Sequence, residues 1–145
     1  MASALYTRDI LRLAASIPHH RRLADPQGSA ERRSPVCGSR VVVDVALDEG
    51  GRVSAIGQDV SACALGQASA ALMGAAAVGR TPDELAGARD ALAAWLKGEC
   101  ADPGAWPGLD ALAAARDYPP RHAAILLPFE AVVEAAARAA IRVAA

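Results

Sequence analysis

The sequence predicts an α+β domain: an N-terminal helix, a small antiparallel sheet of about three strands, then several helices packed on one face of that sheet. Three observations predict it. Val41, Val43, Val45 and Leu47 alternate with Val42, Asp44 and Ala46, which is the two-residue period of a strand. Asp48-Glu49-Gly50-Gly51 follows as a turn, and Arg52 to Val60 resumes extended patterning, so the two runs form an antiparallel hairpin. After Val60 the chain turns to small apolar residues at helical spacing, and it keeps that character to its end.

The elements follow in chain order. Leu5, Ile10, Leu11, Leu13 and Ala14 recur at helical spacing across residues 4–15, with Ser3 as the N-cap and Pro18 as the stop. His19 to Pro35 is polar, rich in Arg and punctuated by Pro26, Gly28 and Pro35; it reads as a loop that contributes a short edge strand. Ser61 caps a helix over residues 62–78, which Gly79 ends. Thr81-Pro82-Asp83-Glu84 opens the next helix with a capping box and Pro at the first helical position, and Gly98 closes it after Lys97. A loop over residues 98–107, a short helix over 109–115 and the Tyr118-Pro119-Pro120 break come next. A final helix spans 125–143, with Ile125, Phe129, Val132, Val133, Ala136 and Ile141 directed to the core.

Bulk properties narrow the function classes. At 145 residues the chain suits one domain, residues 1–145, and 53% hydrophobic residues supply a core. Aromatics are only 3%, so Ala, Val, Leu and Ile must build that core. A net charge of −1 gives no general attraction to nucleic acid or acidic membranes. No apolar run approaches the ~20 residues of a membrane span. Arg8 and Asp9 interrupt the N-terminal apolar pattern, so it does not read as a secretory signal, and a cytoplasmic protein is expected. The basic cluster Arg21, Arg22, Arg32 and Arg33 reads as a solvated loop, with docking of an acidic partner as the functional alternative. His19 and His20 share that loop and read as solvated too.

Three cysteines, Cys37, Cys63 and Cys100, contain no Cys-x-x-Cys pair, and the odd count argues against a disulfide framework. Cys37 is bracketed by Pro35 and Gly38 just before the first strand of the hairpin. A Gly there lets consecutive N–H groups face a sulfur, and such groups stabilise a thiolate. Cys63 falls in the first turn of the predicted helix, at the positive end of its dipole. Each thiol alone also fits a small buried side chain. Together they flank the hairpin, so both can face one site at one end of a small sheet. Two thiolates anchor a soft metal or a cluster, although such sites usually take four ligands.

Cys37-Gly38-Ser39 before a Val-rich hairpin resembles the Cys-Gly-Asp opening of the IscU/NifU-type iron–sulfur cluster assembly scaffolds. Ala62-Cys63-Ala64-Leu65-Gly66-Gln67-Ala68-Ser69-Ala70 resembles that family's Gly-Cys-x-x-x-x-Ala-Ser-x-Ser helix, and Gly79 to Glu84 its Gly-Lys-Ser-x-x-Glu segment. Trp106 to Arg121 is similar to the approach to the third ligand in the SufU-like branch, which carries an insertion there. The resemblance covers nearly the whole chain. It implies that Cys37 and Cys63 are ligands of a [2Fe–2S] cluster or iron, with zinc as the alternative. Ser39 then stands where the family has Asp, and Ala124 where it has the third Cys. His122 and Cys100 are the nearest replacement donors. The implied role is a scaffold or carrier, not an enzyme, that receives sulfur from a cysteine desulfurase and passes a cluster to apo client proteins, with homo-oligomerisation compatible. The alternatives are a relative that has lost the cluster and acts as a binding or regulatory partner, and a zinc-dependent sulfur acceptor that stimulates a desulfurase.

Overall fold

In the computed structural model, which describes residues 5–35 and 38–144, the valine run forms the middle strand of a three-stranded antiparallel sheet. The elements run α1 (Arg8–Ala15), β1 (Gly28–Arg33), β2 (Arg40–Leu47), β3 (Val53–Ser61), α2 (Ala64–Ala76), α3 (Pro82–Leu96), a 3-10 helix (Leu109–Asp117), a short 3-10 turn (Pro119–Arg121) and α4 (His122–Ala144). The strand order is β1-β2-β3. The expected α+β class is what the chain adopts.

Alternation assigns the two faces. Partners across the sheet share a face, so the rows Gly28–Val45–Ile56 and Ala30–Val43–Gln58 look one way. α4 lies across this face of β1 and β2. The approach is closest at Gly28, where a Cβ would run into the Ala135 carbonyl oxygen and the backbone of Ala139. α2 packs between α1 and α4, and α3 packs on α4. The core is aliphatic, as composition requires, with Trp106 set edge-on to Phe129 at 5.3 Å between ring centroids.

The opposite face carries the row Ser29–Asp44–Gly57. Asp44 has no exposed surface, although it sits in the middle of a valine strand. Arg22 donates to both its oxygens (Nε to Oδ2, 2.7 Å; a terminal nitrogen to Oδ1, 3.0 Å). The Leu23 N–H and the Ser29 hydroxyl donate at 2.9 and 2.6 Å. Burial alone would push this carboxyl up, but the bonds from Arg22, Ser29 and Leu23 outweigh it and hold the group below the ordinary carboxylate range. The segment before β1 is thereby pulled across the back of the sheet. It passes over Gly57, where a Cβ would collide with the Arg21 carbonyl oxygen.

Several boundaries depart from the sequence reading. Thr7 caps α1 by accepting from the Ile10 N–H; Ser3 lies outside the described residues. Ser61 ends β3 and does not cap the next helix; Cys63 occupies the N-cap of α2. The strand consumes Ser61 because Arg40 pairs with it. α4 starts three residues before the expected Ile125 and continues through Pro128. Ile141 is 72% exposed and not in the core, since it lies one turn after the exposed Ala137, on the face of α4 turned away from the buried Ala135, Ala136 and Ala139. The capping box of Thr81 and Glu84 is present as expected.

Two stability predictions follow from this packing. Gly28→Ala should lower unfolding free energy by about 1–3 kcal/mol through overpacking, whereas Gly87→Ala, in open space on α3, should raise it by about 0.5–1 kcal/mol in the same urea titration. Asp44 binds a proton less readily when folded than when unfolded, so its contribution is complete above the ordinary carboxylate value near ~4 and is lost as pH falls through the lowered folded value. Stability measured from pH 6 to 2 should therefore fall less steeply in Asp44→Asn than in the parent protein.

Candidate functional site

The two ladders end together: Arg33 pairs with Arg40, and Arg40 with Ser61. That end of the sheet carries the turn between β1 and β2 and the junction between β3 and α2. The β2–β3 ladder ends at Arg40–Ser61, two residues in sequence from Gly38 on one side and from Cys63 on the other. Cys37 itself lies outside the described residues. Described residues close to it on either side are hydrogen-bonded to one another. The Ser34 N–H donates to the Ser39 carbonyl at 2.8 Å, and the Gly38 N–H to the Ser34 carbonyl at 3.0 Å. Gly38 has φ +73°, a left-handed conformation that only glycine adopts cheaply. Ser39 is buried, and so is Ser34, whose hydroxyl has no hydrogen-bond partner among the described residues.

Cys63 sits half-buried at the mouth of α2, with its side chain making no capping hydrogen bond. The first N–H groups of the helix are thus left without a side-chain cap, and the first turn carries no acidic residue. The thiol stands at the positive end of the helix.

α4 delivers residue 124 to the same place. A Cβ on Gly66 would meet Ala62 at 2.8 Å, the Ala124 carbonyl oxygen at 3.4 Å and the Ala124 methyl at 3.8 Å. A side chain there would run into Ala62, while Ala124 lies at ordinary van der Waals distance, so the starts of α2 and α4 are in contact. Ser69, buried in α2, donates to the Ile125 carbonyl at 2.5 Å and locks the contact. Pro128 has no N–H, so the Ala124 carbonyl also loses its regular helical donor. The position that resemblance assigns to a third thiolate is filled by a methyl that is 1% exposed.

The replacement donors lie elsewhere. His122 begins α4, and its Nε2 is 2.9 Å from the Ala115 carbonyl. A carbonyl only accepts, so in this contact Nε2 is the donor. Two residues along a helix also turn it about 200° away from Ala124. Cys100 is exposed on the loop after α3, where its carbonyl accepts from Arg116 at 3.2 Å. His20 accepts from the Val60 N–H at 3.3 Å, and His19 has φ +57°. Among the described residues no group of three or more His, Cys, Asp or Glu is placed to hold a metal ion. The sequence reading missed Ser34 and Gly66 as site residues. Gly66 was legible as a helix-interior Gly, which suggests close packing. Ser34 carries no signal of its own in the sequence.

No protein-family model and no curated protein matches this chain. Solved structures do. A nitrogen-fixing NifU-like protein (N-terminal) from Brucella abortus is 34% identical, with 97% of this chain and 98% of that one covered and a TM-score of 0.90. A proposed iron–sulfur cluster assembly scaffold protein for the SUF system from Fervidobacterium islandicum AW-1 is 20% identical, with coverages of 94% and 99% and a TM-score of 0.86. A hypothetical protein whose structure is known at 2.3 Å is 21% identical, with coverages of 93% and 98% and a TM-score of 0.73. The last two show the shared fold. The first extends to sequence over nearly the full length of both chains, and with it the chain belongs to the IscU/NifU-type family, among the NifU-like proteins.

Proposed function

We propose that the protein is an iron–sulfur cluster assembly scaffold of the carrier type, which holds iron, sulfur or a [2Fe–2S] cluster as transient cargo and gives it up to client proteins. The observation that carries this reading is the convergence at one sheet end of the turn bracketing Cys37, the Cys63 N-cap of α2 and the first turn of α4. Soft thiolates are the donors that such cargo takes. Cys37 and Cys63 are the donors supplied by this chain. Ala124 supplies none, and the hydroxyl of Ser39 is a poor substitute for a carboxylate. The remaining positions on the metal then fall to an outside donor, such as a small thiol or a client's cysteine. Weak retention suits a carrier, since cargo must leave as well as bind.

In this reading the sulfur comes from a cysteine desulfurase, and the recipients are apo iron–sulfur proteins. The setting is a reducing compartment such as the cytoplasm, where free thiols persist. No helix among the described residues is long and apolar enough to cross a membrane. The chain binds and releases; no residue is assigned a catalytic role. The buried Ala124 methyl favours a second reading, in which the fold is kept, cargo is not, and the protein acts as a partner.

Anaerobic reconstitution with iron and sulfide, followed by desalting, separates the two. The scaffold reading expects visible charge-transfer absorption and retained iron. Cys63→Ser should cut the retained iron roughly tenfold or more, by the scale on which metal sites respond to altered ligation. Ala124→Cys, which puts a sulfur where the family has its third thiolate, should raise retention and slow loss to a chelator. Iron retained neither by the parent protein nor by Ala124→Cys would leave only the partner reading.

A further inference from the structure

β1 is an edge strand, paired on one side only, with β2. That ladder decides which of its backbone groups point outward. The Ser34 N–H donates to the Ser39 carbonyl, and these two residues continue the register in which Arg33 pairs with Arg40. Directly bonded pairs alternate with unbonded ones along an antiparallel ladder. Arg33, Glu31 and Ser29 therefore turn their N–H and carbonyl groups away from β2. The Ser29 carbonyl agrees, since it accepts from Arg138 of α4 at 2.6 Å. One turn further along α4, Arg142 donates to the Pro26 carbonyl at 3.1 Å. These two arginines cover the first part of the rim. No hydrogen bond from any described residue outside the ladder reaches the backbone of Glu31 or Arg33. Both residues are exposed, with 41% and 66% of their side chains open to solvent.

Charged side chains keep such an edge from pairing with arbitrary strands. Here the charges suit one strand in particular, a second copy of β1. With a two-fold axis at Arg32, Glu31 of each copy lies opposite Arg33 of the other. Both open residues are then used, and each facing pair exchanges two backbone hydrogen bonds. The neighbouring registers fail. An axis at Glu31 sets carboxylate against carboxylate and needs the Ser29 carbonyl, which Arg138 already holds. An axis at Arg33 sets guanidinium against guanidinium and brings Glu31 against Pro35, which has no N–H. Opposite charges facing each other across strands stabilise the pair, and like charges destabilise it. The opposed Arg32 side chains are balanced by Glu130, which lies 3.9 Å from Arg32 within each chain. On the other face Glu31, Arg33, Arg40 and Asp59 form one neutral cluster per chain.

We propose that β1 is a self-association edge, through which two copies of this chain pair antiparallel about Arg32 and join their sheets into one of six strands. The axis leaves the two Ser34–Ser39 turns on either side of it, so neither copy's thiols complete the other's site. The proposal uses no thiol chemistry and stands apart from the scaffold reading.

The test is NMR diffusion of the full chain, read as apparent mass against concentration, with 14.8 kDa as the monomer. So short an interface belongs to the weak end of specific contacts, and half-association is expected at about 0.1–1 mM. Arg33→Pro removes an outward N–H that the fold does not use, so it should keep the parent's urea midpoint and lose association. Glu31→Arg sets like charges across the axis and should weaken association about tenfold. Glu31→Arg combined with Arg33→Glu reverses both charges and restores the opposed pairs. That double variant should return to within about threefold of the parent. A monomer at every concentration up to about 2 mM, undiminished association of Arg33→Pro, or a double variant no better than Glu31→Arg would overturn the proposal.

Discussion

The carboxylate of Asp44 is the interaction on which the arrangement of this domain depends. A charge with no exposed surface is costly unless it is fully hydrogen-bonded. Asp44 meets that condition only by recruiting Arg22 and Leu23 from a segment some twenty residues upstream and Ser29 from β1. That fixes the path of residues 18–23 over the back of the sheet and along the edge of β3. The same segment presents the Pro18 carbonyl to Gln58, whose amide also donates to the Ala70 carbonyl of α2. Gln58 thus ties the segment, β3 and α2 together, and α2 carries Cys63. The anchor on one face of the sheet is mechanically linked to the thiol at its end.

The site is made by close backbone approach. Ala62, Gly66 and Ala124 are small enough for the mouths of α2 and α4 to touch. The price of this closeness is a residue at 124 with nothing to coordinate, and a carbonyl there that Pro128 leaves without its helical donor. Stability of the contact rests instead on Ser69 and on buried apolar packing around Ile125. The site is held firmly by its frame but is poorly furnished with donors.

The region between α3 and α4 shows how few aromatics are needed to dock an irregular segment. Trp106 donates its indole N–H to the Leu72 carbonyl and stacks under the Arg80 guanidinium at 5.0 Å. Arg116 lies over Trp95 at 5.1 Å and donates to the carbonyls of Trp95, in the last turn of α3, and of Cys100 after it. Two Trp–Arg pairs pin what the sequence presents as a loop and a short helix.

The order of elements, the hairpin and the Thr81 capping box were legible in the chain because they rest on local rules: alternation, turn chemistry and capping at fixed spacing. The family was legible for a similar reason, since Cys37-Gly38-Ser39 and the segment from Ala62 to Ala70 keep their spacing around that hairpin. Asp44 was visible as a charge in a valine strand, but its partners were not, because Arg22 and Leu23 reach it only through the fold. The N-cap shifted from Ser61 to Cys63 for the same kind of reason: pairing with Arg40 extended the strand beyond its local pattern. Sequence by itself determined which residue types are available to the site, including the loss of a thiol at Ala124. Tertiary structure alone decided that Gly66 and Ala124 meet and that the segment after α1 reaches Asp44 and Gln58, because each depends on contacts between segments far apart in the chain, where no short-range spacing rule operates.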